Sequence, residues 1–367
     1  MTRSLVEDCE RLGHSLLELA DKGAPGRVNR DLVRALADGG LFDHLFSETG
    51  VTATDLCAIR QGLARVSTAA ETAFAVQGLG AIPIHVSGPA ELKDRVMPGI
   101  RRGETVAAFA LTEPGAGSDA AALSTVAERD GDGFRITGEK AYISNAPDAD
   151  LYTLFARTTP DAGARGVTAL VVTSDLEGFS GEPIEMIGSH PLGRIHLDGV
   201  HVPDGNVLGE VDQGFRVAME TLDLFRPSVG AFALGMAESA LRIATGHAST
   251  RTAFGAPIAE FQGVSHQLAN VRLDIEAAEL LVYSAAAAHD MGDTETLTGK
   301  AAMAKLHATE TAQRAVDTAI QILGARGLEA DSTLAHLYME VRAPRIYEGT
   351  SEIQRNIIAR ELLNGRI

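Results

Sequence analysis

The sequence predicts an α+β fold in three consecutive parts: helices over 1–104, a small antiparallel β domain over 105–212, and a bundle of long helices over 213–367. Three observations carry that prediction. Apolar residues recur at helical spacing on both flanks. Between about 105 and 212 the period shortens to that of strands. There, strand candidate follows strand candidate without intervening helices, the order of a meander and not of βαβ units.

In the first part "DLVRALADGGLFDHLF" has helical spacing with a stop at Gly39-Gly40, and "TDLCAIRQGLARV" repeats the pattern. Gly80 and Pro83 then interrupt, and "PAELKDRVMPGIRRG" reads as a further capped helix. The middle part offers "TVAAFALT", "GFRITGEKAYIS", "DLYTLFART", "GVTALVVT" and "GRIHLDGVHVP", each short and bounded by Gly, Pro, Asn or Asp, with "RDGDGF" as a turn. In the last part three stripes step by threes and fours: Val229, Phe232, Met236, Ala240, Ile243; Leu268, Val271, Ile275, Ala278, Val282, Ala285; and Ala308, Ala312, Ala315, Ala319, Ile322. Such stripes predict antiparallel helices in a bundle whose alanine seams permit close approach. Pro227 is expected to start or kink a helix. "RIYEGTSEIQR" introduces the final helix, with Ser351 and Gln354 spaced as a capping box.

Composition limits the function classes. With 45% hydrophobic and 22% charged residues, the 367-residue chain can bury a large core. The net charge is −17 and Lys and Arg are scattered, so nucleic acid is not an expected partner. Cys9 and Cys57 form no CxxC pair, and the histidines show no ligand spacing: His196 and His201, five apart on one strand, should face opposite sides. No metal site is expected. The N-terminus has acids too early for a secretion signal, and no apolar run approaches the roughly 18 residues needed to span a membrane. The expected location is the cytoplasm.

Four stretches could carry chemistry. "LTEPGAGSDAA" matches G-x-G-x-x-A on paper, but the βαβ context and the later acidic residue of a dinucleotide fold are missing. Two readings remain: a loop whose bare amides and Ser118 hydroxyl cradle a phosphate or ring edge, or a plain connecting turn. "RTAFGAPIAEFQ" is a helix end with a favourable Arg251, or an arginine that meets a pyrophosphate. "QILGARG" is a glycine-capped helix end, or a flat backbone surface for a ligand. Glu348, between Tyr347 and Gly349, flatters a helix N-terminus or is a base aimed into a pocket.

Taken in order and at this spacing, "ALTEPGAGSD", "KAYISNA", "RTAFGAPIAEFQ", "QILGARG" and "RIYEGTSEIQR" make the chain resemble the acyl-CoA dehydrogenase family over nearly its full length. The resemblance implies that family's fold, with a C-terminal four-helix bundle, and FAD as cofactor. It implies that Phe109, Leu111, Thr112, Gly117 and Ser118 line the flavin and its phosphates, and that Tyr142 and Ser144 pack on and hydrogen-bond the ring. Arg251, Phe254, Gln262, Gln321 and Gly324 would hold the ADP portion, partly from a neighbouring subunit of a homotetramer, with Thr350 and Glu352 nearby. Ser118, Phe225, Arg226 and Gly349 fall on the substrate side.

Glu348 matches the family's base for α,β-dehydrogenation of an acyl thioester, and its backbone N–H would bind the thioester oxygen. Some relatives carry the base just before the position of Arg226. Phe225 stands there and cannot serve. The chain departs from the family with Tyr142 for a common Trp, Phe109 for a common Tyr, and Ala325 for a second glycine. The implied partners are an acyl thioester, on CoA or a carrier protein and short or branched given Phe225, and an electron-transfer flavoprotein or similar acceptor. An oxidase or monooxygenase of the same fold is the alternative, as is a flavin-free scaffold.

Overall fold

The computed structural model describes residues 2–48 and 50–367. In chain order the helices of the first part are α1 (Thr2–Asp21), α2 (Arg30–Asp38), α3 (Leu41–Leu45), α4 (Ala53–Ala64), α5 (Thr68–Ser87) and α6 (Ala90–Arg101). Then come β1 (Ala107–Ala110), β2 (Val126–Asp130), β3 (Gly133–Ser144), β4 (Leu151–Arg157), β5 (Val167–Thr173), β6 (Phe179–Pro183), β7 (Leu192–Pro203) and β8 (Val207–Leu208). The last part holds α7 (Gly214–Thr250), the short pair β9 (Thr252–Ala253) and β10 (Ala256–Pro257), α8 (Gln262–Asp290), α9 (Leu297–Leu323), α10 (Thr333–Glu340) and α11 (Ser351–Leu363). Helical outer parts thus flank a β middle part. No helix among the described residues is long and apolar enough to cross a membrane.

The chain packs as two compact units, one of residues 1–15, 52–71 and 223–367, the other of 16–51 and 72–222. The second unit is built on an 8-stranded sheet in the order β6-β7-β3-β2-β4-β5-β8, with β1 on β4. Pairing is mostly antiparallel, as the meander of strand candidates predicts, but β1 and β2 each run parallel to β4. The two-residue turn Gly131–Asp132 joins β2 to β3, with Gly131 at φ 61°, a conformation that costs glycine little. One sheet face carries Phe134, Ile136, Tyr152, Leu154, Leu170, Ile195 and Val200 into an apolar core.

Three local expectations give way here. His196 and His201 do not face opposite sides: Ile195 and Leu197 are buried, and so are Val200 and Val202, so the alternation reverses between 197 and 200. The register of β7 against β3 shifts there, with Gly199 at φ 66°, and both histidines lie off the core face. Gly80 and Pro83 do not end a helix, because α5 runs through both. Gly80 serves close approach instead, since a Cβ there would stand 2.6 Å from the Ala108 nitrogen. Of the two expectations for Pro227, that it starts a helix gives way, because it lies within α7.

In the first unit the apolar stripes are buried as their spacing predicts: Phe232 and Met236 on α7, Ile275 and Val282 on α8, Ala308, Ala312 and Ala315 on α9. Small residues set the separation of these helices, as a Cβ on Gly230 of α7 would lie 2.8 Å from Val282 Cγ2 and 3.3 Å from the Ala304 carbonyl. Cys9 and Cys57 are buried free thiols. The start of α11 differs in detail from the expected capping box. Thr350 is the cap, its Oγ1 accepting from the Ile353 N–H at 3.3 Å, while Ser351 Oγ donates to Glu310 at 2.8 Å.

A buried ion pair fixes the loop after β1. Lys140 Nζ donates to Glu113 Oε1 at 2.8 Å and to the Leu111 carbonyl at 3.2 Å. Glu113 also accepts from the Ser124 N–H at 2.6 Å, Ser124 Oγ at 2.7 Å and the Thr125 N–H at 2.9 Å. Burial opposes the Glu113 charge, but Lys140 and these donors more than offset it and hold the carboxyl down at about 2. Lys140→Met, which strands the buried carboxylate, should cost about 3–5 kcal/mol in urea unfolding at neutral pH. Because the folded value is depressed, the Glu113 contribution is present above the ordinary carboxylate range and fades as pH falls toward about 2. The deficit of the variant should shrink over the same window.

Candidate active site

A short left-handed turn follows the helical turn at Ala343–Arg345. Glu348 has φ 51° and Gly349 φ 92°. Left-handed geometry is costly for a residue with a Cβ, so the surroundings must enforce it at Glu348. They do so through the carbonyls. Gln354 Nε2, reaching back from α11, donates to the Glu348 and Gly349 carbonyls at 3.1 Å each. Lys305 Nζ, from α9, donates to the Gly349 carbonyl at 2.6 Å. A Cβ on residue 349 would come 2.5 Å from Gln354 Nε2 and would displace that amide, while the positive φ by itself favours glycine there.

The turn aims a carboxylate into a charged interior. Glu348 Oε2 is buried and has no hydrogen-bond partner. Burial pushes the carboxyl above its ordinary range, opposed by the charges of Arg60, Lys305 and Arg226. Each cation is itself held within the first unit. Arg60 on α4, 3% exposed, pairs with Glu71, donates to Ser228 Oγ at 2.8 Å, and stacks 5.7 Å from the Phe232 ring centroid. Arg226 donates to Asp223 at 2.6 Å, and its Nε is buried without a partner. Lys305 is fully buried, which lowers its pKa to about 8 despite the nearby Glu348 charge. The Tyr347 phenol belongs to the same group and is pushed up where its ring is shielded, with Arg60 opposing, although the residue as a whole is 36% exposed. Phe225 is fully buried beside Arg226.

The remaining first-unit candidates gather elsewhere. Arg251 and Phe254 lie on the small β9–β10 hairpin, Gln262 begins α8, and Gln321 and Gly324 end α9; all of these are exposed. Gly324 has φ 61° as the C-cap of α9. The hairpin and the turn after α9 meet electrostatically at His247, whose pKa is lowered by burial and then by Arg326 and Arg251. A local cationic patch therefore exists on a chain of net charge −17. Thr350 caps α11, and Glu352 is exposed in its first turn.

The second unit carries the other group. Phe109 and Leu111 belong to β1 and its exit, with Thr112 partly exposed and Ser118 exposed. Around Gly115 and Gly117 a Cβ would meet nothing within 4 Å, so this loop presents open backbone. Tyr142 is 54% exposed at φ 56° on β3, where β3 slips register against β7 and turns an aromatic ring off the core. Ser144 Oγ lies 2.8 Å from His190 Nε2, and burial holds that imidazole neutral down to about 4.

Sequence reading did not single out Lys305, Arg60, Arg326, His190 or His247, and it took Gln354 for a capping residue where the structure makes it a donor to the turn. A signal existed for the lysine: Ala301, Lys305, Ala308 and Ala312 continue one helical stripe, and a cation on a buried stripe requires a partner. Arg60 and His190 gave no comparable pattern, since their partners are distant in sequence.

Three family profiles match, described as acyl-CoA dehydrogenase N-terminal domain over 14–104, middle domain over 108–200 and C-terminal domain over 212–363. The chain is 39% identical over 372 aligned positions to a 3-(aryl)acrylate reductase of Clostridium sporogenes, covering 99% of this chain and 98% of that protein. Among solved structures it is similar to butyryl-CoA dehydrogenase from Megasphaera elsdenii, with TM-score 0.92, 30% identity, and 99% and 98% of the two chains covered. It is also similar to PigA with FAD and proline, with TM-score 0.93, 26% identity, and 98% and 97% covered.

A raised Glu348 has two measurable consequences. If the ionised carboxylate is needed, kcat/KM should fall as pH drops through a value above the ordinary glutamate range of about 4.3. The stability sign is opposite to that of Glu113. A carboxyl whose folded value is raised costs stability fully above that value and not below the unfolded one. Glu348→Gln should therefore raise Tm at neutral pH, and the gain should vanish below about pH 4.

Proposed function

The chain belongs to the acyl-CoA dehydrogenase family, and from that premise we propose that it catalyses FAD-dependent α,β-dehydrogenation of an acyl thioester with Glu348 as the base. The observation that carries the reading is a buried carboxylate oxygen without a partner, on a turn whose carbonyls are tied down by Lys305 and Gln354. A base for a weakly acidic Cα proton should be poorly solvated and already ionised. Burial supplies the first condition, and the three facing cations work toward the second by opposing the upward shift that burial causes.

FAD is the cofactor of this reading, in keeping with the FAD complex of the related PigA. The residues present fit it. Open backbone at Gly115 and Gly117, the outward Tyr142 ring and the Thr112, Ser118 and Ser144 hydroxyls suit a flavin and its phosphates. The Arg251–Arg326 patch suits a pyrophosphate. When bound, the flavin supplies the acceptor for the hydride that leaves Cβ. The protein's part is to orient the thioester, take the Cα proton on the Glu348 carboxylate, and donate the Glu348 N–H to the thioester oxygen as negative charge develops there.

A short or branched acyl group is the proposed substrate, supported by fully buried Phe225 and by the likeness to butyryl-CoA dehydrogenase. The reductase relative is named for 3-(aryl)acrylates, so a compact aromatic acyl group belongs in the same trial set. The exposed ADP-side residues Arg251, Phe254, Gln262, Gln321 and Gly324 accord with a homotetramer that completes the FAD site, and an electron-transfer flavoprotein is the proposed acceptor.

Anaerobic absorbance titration of the holoenzyme with CoA thioesters, short to long, branched and aromatic, tests the reading. Bleaching of the oxidised flavin band by the compact members is expected. A flavin bleached only by carrier-protein thioesters would replace CoA with that carrier, and rapid oxygen consumption without an added acceptor would favour the oxidase alternative. Arg251→Ala should lower the FAD content of the purified protein, and unchanged content would remove that residue from the cofactor site.

A further inference from the structure

Lys305 is a fully buried lysine for which the reaction outlined above has no use. Its surroundings are specific. The ammonium donates to the Gly349 carbonyl at 2.6 Å, one residue beyond the carboxylate-bearing Glu348. Its helix packs within the bundle, and Thr309 Oγ1 donates back to the Lys305 carbonyl at 2.9 Å. Arg60 and Arg226 each hold a carboxylate of their own, Glu71 and Asp223, whereas this Lys305 hydrogen bond goes to a main-chain oxygen. A neutral residue can fill space in a helix bundle at far lower cost than a desolvated ammonium, so packing alone does not account for a lysine here.

We infer that Lys305 is a positioning residue for the reaction: by holding the Gly349 carbonyl from within the bundle, it locks the left-handed pair Glu348–Gly349 and the direction in which the carboxylate points. Gln354, also fully buried, is the neutral half of the same clamp, donating to both carbonyls of the pair at 3.1 Å. The two residues differ in charge. The ammonium adds a field at Glu348 that the amide does not. The charged and titratable groups facing this region are Arg60 from α4, Arg226 from α7, Glu310 from α9, Tyr347 from the turn and Glu352 from α11. The cations among them favour ionised Glu348, and removing Lys305 subtracts from that side.

The inference rests on Glu348 as the base, so Glu348→Gln is measured in parallel to keep the two failures apart. Lys305→Met, Lys305→Gln and Gln354→Leu are made as holoenzymes and followed by flavin content, Tm, and kcat and KM against pH. Lys305→Met should keep flavin content and KM while kcat falls about 10²-fold, the scale of a misaimed reacting group. Its acid limb should also move to higher pH. Lys305→Gln keeps a donor without the charge, so it should recover part of kcat with the limb still displaced. Gln354→Leu should lower kcat with the limb in place. If Lys305→Met does not fold, the Lys305→Gln and Gln354→Leu limbs decide the matter. A lower Tm with kcat and both limbs as in wild type would overturn the inference. An active Glu348→Gln would overturn the base assignment instead.

Discussion

A carboxylate removed from water must be balanced by nearby positive charge or it takes up a proton. That constraint organises the first unit. Burial of the Glu348 carboxyl disfavours its charged form, and Arg60, Lys305 and Arg226 oppose that from three helices. Those cations carry their own penalties, met by Glu71 and Ser228 around Arg60, Asp223 beside Arg226, and a main-chain carbonyl for Lys305. Helices α4, α7 and α9 thus each carry one cation of the group that faces this short turn. A bundle built for stability alone would put apolar residues at those positions.

The turn imposes a second demand. Glu348 occupies a backbone region that penalises any residue with a Cβ, and such strain persists only where the surroundings over-determine it. Gly349 supplies the freedom, while Gln354 and Lys305 supply the restraint. The final helix contributes in an unexpected way. Gln354, at a spacing that reads as a capping residue, instead ties down the two carbonyls of the turn, and Thr350 takes over the cap. Strain, clamp and desolvation all converge on the direction and charge of one carboxylate.

The architecture was legible because periodicity reports burial. The stripes through Ile275 and Val282, and through Ala308 and Ala315, identify helices and the faces they bury. The family resemblance rests on five ordered motifs, and three family profiles together cover most of the chain. What the sequence concealed depends on pairing across distance. Nothing near Arg60 announces Glu71 or Ser228, and nothing near Ser144 announces His190. Local punctuation misled where tertiary contacts override it. Gly80 marks a close backbone approach, not a helix end, and a register shift near Gly199 reverses the alternation from which the faces of His196 and His201 were read.

Removal of the Cα proton by the Glu348 carboxylate is the step on which the proposed function turns. It is tested most directly by stopped-flow reduction of the bound flavin under anaerobic conditions, comparing wild type with Glu348→Gln at equal flavin content and saturating thioester. The variant is expected to bind the thioester, with the small spectral shift that accompanies binding, and to bleach more slowly by several orders of magnitude. Bleaching at the wild-type rate would contradict that role for Glu348 and send the search for the base to another residue.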